Sequence, residues 1–101
     1  MLVCATRAWL DLTLEARAAF LATIIAPLLK KHPQVSLRFF DSEAYSARVS
    51  DIMMWETSDL TAYEDLIDTL RDSLFWGLYF EVLDILPAVE NGYARRVNAL
   101  E

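Results

Sequence analysis

Few residues in this sequence could start chemistry, and their scarcity is informative. There is one histidine, His32, and one cysteine, Cys4. One of each cannot build a tetrahedral zinc site within one chain. The only glycines are Gly77 and Gly92, so no phosphate-cradling glycine loop can form. No nucleophile elbow is present either. His32 follows Lys30 and Lys31. A general base or a haem ligand is its functional reading. A solvated residue at a helix C-terminus, where cations are favoured, fits its position more closely. Cys4 lies in an apolar run without a cationic neighbour in sequence, which suits a small buried hydrophobe better than a thiolate nucleophile. No metal and no cofactor are expected.

The more informative charges lie within strand-like stretches. In 35–40, Val35, Leu37 and Phe39 alternate with Ser36, Arg38 and Phe40. If the first set faces helices, Arg38 faces the other side of the sheet. Glu56 belongs to a strand whose two parities are both apolar, Ile52 and Met54 against Met53 and Trp55. Glu81 and Asp84 have opposite parities, so without a bulge only one shares a face with Arg38. Buried charges need partners, so Arg38 is expected to meet Glu56 and either Glu81 or Asp84. Such a cluster is either an ion-pair network fixing dimer register or the polar floor of a ligand cavity, with Tyr45, Trp55 and Tyr79 as walls. The candidate ligand-binding set is Arg38, Tyr45, Arg48, Trp55, Glu56, Tyr79 and Asp84.

The elements that must position these residues follow from periodicity. Met1 to Thr6 reads as a short strand with the look of one buried on both faces. Thr13 to Lys31 reads as a helix with Leu14, Ala18, Leu21, Ile25 and Leu28 on one face. Pro27 predicts a kink or break there. Val35 to Phe40 and Asp51 to Thr57 read as strands. The segment 41–50 fits a helical turn or the arms of a hairpin. A second helix, from about Asp59 to Leu74, sets Leu60, Tyr63, Ile67, Leu70 and Leu74 on one face and Glu64, Asp65, Asp68 and Asp72 on the other. Trp76–Gly77 turns the chain, Tyr79 to Leu86 is the last strand, and Pro87 stops it. Tyr93, Val97 and Leu100 align on a short closing helix.

The order strand, helix, strand, strand, helix, strand predicts an α+β fold of the ferredoxin-like βαββαβ kind. Right-handed crossovers place two helices on one face of a four-stranded antiparallel sheet. The 101 residues make a single domain, with 87–101 as a C-terminal extension. The other sheet face is left open. The chain is 55% hydrophobic, above the roughly 45–50% of ordinary soluble domains, so that face is expected to meet a second copy. The most apolar stretch, Ala18 to Leu29, is too short to span a bilayer and lacks the basic leader of a secretory signal. A net charge of -6 disfavours nucleic acid and anionic membrane surfaces. The expected partners are the chain itself and a small molecule, and the expected location is cytoplasmic.

Several stretches resemble the darcynin family of small bacterial proteins without an established activity. They are Thr6-Arg7-Ala8-Trp9-Leu10, His32-Pro33 through Arg38-Phe39-Phe40-Asp41, the run Ser42-Glu43-Ala44-Tyr45-Ser46-Ala47-Arg48-Val49-Ser50-Asp51, Trp55-Glu56-Thr57, and Tyr79-Phe80-Glu81-Val82 through Glu90. The resemblance implies a dimeric α/β barrel in which two ferredoxin-like sheets face each other. It transfers no catalytic residues. Proteins of that broad architecture include cofactor-independent monooxygenases, isomerases and haem enzymes, an analogy of fold alone. It leaves three readings: a binder of a small apolar or aromatic molecule, a non-catalytic assembly module with a filled interface, or an enzyme of the monooxygenase or isomerase type.

Overall fold

The computed structural model describes residues 1–100. Its strands are β1 (Leu2–Ala5), β2 (Val35–Asp41), β3 (Asp51–Thr57) and β4 (Phe80–Asp84). They form one antiparallel sheet in the order β2-β3-β1-β4. Between β1 and β2 run α1 (Arg7–Leu10), α2 (Leu14–Phe20), a π-helical turn (Leu21–Ile25) and α3 (Ala26–Lys31). Between β3 and β4 lies α4 (Leu60–Arg71), and α5 (Gly92–Ala99) follows β4.

Three helix starts, those of α1, α2 and α4, have a side-chain cap. Thr6 and Thr13 accept hydrogen bonds from the Trp9 and Ala16 amides, and Asp59 accepts one from the Ala62 amide, satisfying amides that the first turn leaves without partners. The short α1 is not foreseen by the periodicity, which begins at Thr13. The chain remains helical from Leu14 through Lys31, so Pro27 does not break it. Instead Pro27 sits in the first turn of α3, and the turn before it is π-helical. That is an ordinary way to absorb a residue lacking an amide proton.

Alternation along the strands divides the sheet into two faces. Val3, Val35, Met53 and Phe80 are buried with Phe20, Ile25 and Leu28 from the first helical stretch, and with Ala62, Leu66, Ile67 and Leu70 from α4. Both helical connections therefore cover the same sheet face. A tight aromatic cluster closes one end of this core. The Trp9 ring lies 5.0 Å from Phe80, 5.5 Å from Tyr79 and 5.8 Å from Phe20, and Phe75 stacks on Phe80 at 4.8 Å. Gly77 makes the turn into β4 with a φ of 89°, a region that side chains disfavour.

β1 is a central strand, and Val3 is its buried residue. Only one face of it packs on helices, so the expectation of a strand buried on both faces is corrected within the single chain. β4 is shorter than the expected 79–86. Its pairing with β1 shifts between Leu2 and Val3, so that Leu2 opposes Asp84 while Val3 opposes Val82. Leu83 is the extra residue of a β-bulge.

Candidate functional site

The uncovered sheet face is built from the other parity of each strand. Leu2 and Cys4 come from β1, Arg38 and Phe40 from β2, and Ile52, Met54 and Glu56 from β3. The registers Leu2↔Ile52, Phe40↔Ile52 and Arg38↔Met54 set them side by side. Phe40 and Met54 are exposed, and Leu2, Cys4 and Ile52 are half-buried. The bulge at Leu83 resolves the parity conflict between Glu81 and Asp84. Glu81 opposes Cys4 and Asp84 opposes Leu2, so both belong to this face.

Arg38 and Glu56 are brought together. The guanidinium lies 3.6 Å from the Glu56 carboxylate, and the two side chains are 62% and 56% exposed. The same guanidinium lies 3.7 Å from the Met54 sulfur and 5.3 Å from the centre of the Phe40 ring. Neither Glu81 nor Asp84 pairs with Arg38 among the described residues. In a lone chain this pair is solvated and contributes under about 1 kcal/mol.

The remaining candidates lie elsewhere. Trp55 shares its parity with Met53 and packs against the core, where its indole nitrogen is buried without a hydrogen-bond partner. Tyr79 belongs to the aromatic cluster, 5.0 Å from Phe20. Tyr45, 92% exposed, and the exposed Arg48 sit on the loop between β2 and β3. The seven candidates thus do not converge on one site within a single chain. Arg38, Glu56 and Asp84 share the open face. His32 ends α3, its Nδ1 2.9 Å from the Leu28 carbonyl oxygen.

A polar node absent from the candidate set lies at the end of the β2–β3 pair. Asp51 is 7% exposed and stands directly opposite Asp41. The Ser50 hydroxyl donates to the Asp51 carboxylate at 2.7 Å and accepts from the Ala5 amide at 2.7 Å. The Ser50 amide donates to the Val3 carbonyl, and its carbonyl accepts from the Ser42 amide. Ser50 and Asp51 therefore pin the loop to β1. Burial pushes the Asp51 carboxyl above the usual range. The Ser50 hydrogen bond pulls it back, and Asp41 and Glu43 push it further up. The only sequence signal for this node was the pair of aspartates bounding the loop.

A folded-state pKa raised above the unfolded one favours the protonated fold. The Asp51 contribution is therefore complete below its unfolded value of about 4 and is lost as pH rises through the higher folded value. Asp51→Asn keeps an acceptor for Ser50 and removes the charge. It is expected to raise the melting temperature at pH 7 and to flatten the acid side of the pH–stability curve. A variant less stable than the parent at pH 7 would show that the ionised carboxylate is held by attraction.

The fold and its bare sheet face define a small α+β protein with one helical layer on an open four-stranded antiparallel sheet. The darcynin profile, a domain of unknown function, matches residues 1–100. The chain is 47% identical over 96 residues to a darcynin homolog of Granulibacter bethesdensis, covering 94% of this chain and 77% of that protein. It is 48% identical over 96 residues to a darcynin homolog of Streptomyces avermitilis, covering 94% and 79%. To darcynin 1 of Acinetobacter baumannii it is 45% identical over 80 residues, covering 78% and 89%. No solved structure gives a significant match. The chain belongs to the darcynin family, and these relatives are bacterial. Among the described residues, no helix is long and apolar enough to cross a membrane, and no group of three or more His, Cys, Asp or Glu is placed to hold a metal ion.

Proposed function

We propose that the chain works as a homodimer in which two open sheet faces meet and hold a small, largely apolar molecule between them. The observation that carries this reading is the face itself. Leu2, Cys4, Phe40, Ile52 and Met54 form a continuous apolar strip beside the Arg38–Glu56 pair, and nothing among the described residues covers it. The strand order β2-β3-β1-β4 with both helical connections on one side supports a ferredoxin-like reading, in which one face is free for such pairing. Two meeting faces would desolvate Arg38 and Glu56, giving the enclosed space a polar end.

A second reading, a filled interface without ligand, is favoured by one observation. Trp55 and Tyr79, two of the three expected aromatic walls, are turned into the core. Native mass spectrometry of the purified dimer separates the two. A retained small molecule on the dimer supports binding, and a bare dimer supports the assembly module. Arg38→Met adds a thermodynamic test. If the pair is buried between sheets, losing one partner strands the other charge at about 3–5 kcal/mol. A change under about 1 kcal/mol in denaturant titration of the dimer would place Arg38 outside the interface.

A further inference from the structure

The helical layer carries a groove that the sheet face does not explain. It runs between α3 and α4 as two adjoining hollows of about 440 Å3 and about 380 Å3, which share Lys31 and Thr69. Ile24, Pro27 and Leu28 form the apolar wall of the smaller hollow, next to the π-helical turn. Asp59 and Asp65 line the larger and Asp72 the smaller, three carboxylates against the single lysine, Lys31, that borders both. Two of the groove hydroxyls are already used. Thr23 donates to the Ala19 carbonyl and Thr69 to the Asp65 carbonyl. Such a lining suits an occupant with an apolar side and net positive charge.

The same chain contains a segment of that chemistry that no described residue covers. No residue of α5 is buried, Tyr93 is 80% and Leu100 88% exposed, and Val97 is exposed beside them. These three step by four and three residues and so form one stripe. The charges of α5 are Arg95 and Arg96, with no carboxylate, in a protein whose net charge is -6. The segment stands away from the body. The molecule extends 57 Å along its long axis with a radius of gyration of 15.9 Å, against about 13 Å for a compact chain of this length.

We propose that the groove between α3 and α4 receives the C-terminal helix α5 of a second copy of this chain. The Tyr93, Val97 and Leu100 stripe lies on Ile24, Pro27 and Leu28, and Arg96, which flanks that stripe, faces the groove aspartates. Exchange of two such arms is reciprocal and closes about a two-fold axis. The proposal does not rest on pairing of the sheet faces, and either can fail alone.

Disulfide trapping in the full chain tests it. In a Cys4→Ala background, Val97→Cys protein is mixed with Thr69→Cys protein under mild oxidation. The expected result is a covalent heterodimer, with at least a tenfold loss of yield when Arg96→Glu is added to the first partner. Restoration of the yield by Asp65→Lys with Asp72→Lys in the second partner is the matching positive result. Monomers alone from the mixture would overturn the proposal, as would an intrachain disulfide in the doubly substituted Val97→Cys/Thr69→Cys chain, because the chain's own arm would then fill the groove. The Ile52→Lys substitution on the sheet face should leave the trapping yield unchanged, which keeps this test separate from that of sheet pairing.

Discussion

Phe80→Ala is expected to be the most destabilising single truncation near the candidate face, at about 3–5 kcal/mol. Phe80 is buried at the start of β4, packed against Trp9 and stacked on Phe75. It joins α1 to the segment around β4, two parts of the chain that are far apart in sequence. Its removal loses the transfer energy of the ring and leaves a void that α1 and the 72–79 segment cannot refill without moving backbone. A domain of this size has about 5–15 kcal/mol in total, so the variant should unfold at much lower denaturant than the parent. Because the Phe80 amide and carbonyl also anchor the Gly77 turn, the position of β4 and of its bulge should loosen with it. A midpoint within experimental error of the parent would mean that the aromatic cluster is not the closing contact of the core.

The second large effect is expected on assembly rather than folding. Ile52 sits at the middle of the open face, between Phe40 of β2 and Leu2 of β1. In a lone chain it is half-buried, so a lysine there can raise its ammonium into water along its own stem. Between two sheets the same ammonium would be buried without a carboxylate assigned to it, at high cost. Ile52→Lys should therefore keep native circular dichroism while weakening the dimer by about a hundredfold or more, equivalent to about 2.7 kcal/mol. A dimer of unchanged affinity would place the interface elsewhere.

Much of the framework was legible because its signals are local. β3 has the predicted bounds, Asp51–Thr57, and α4 lies within the predicted 59–74. The alternation of Val35, Leu37 and Arg38 correctly put Arg38 on the side away from the helices. What was not legible depended on contacts between distant segments. Both parities of β3 are apolar, so no pattern could say that Trp55 packs inward and Met54 outward; the register with β2 and the helices above it decide that. The bulge at Leu83, which gives Glu81 and Asp84 one face, is a property of pairing with β1. Asp51 is unusual only because it faces Asp41 across a strand pair. Tyr79 reads as a strand residue but belongs to an aromatic cluster assembled around Trp9.

The family match carries recognition across nearly the whole chain and carries no activity with it. The sheet face therefore bears the functional argument, and its central claim is self-association. Light scattering of the wild-type protein across a concentration series tests this most directly. A mass of twice the 11.6 kDa chain is expected at micromolar concentration; a mass of one chain persisting into the hundreds of micromolar would contradict self-association.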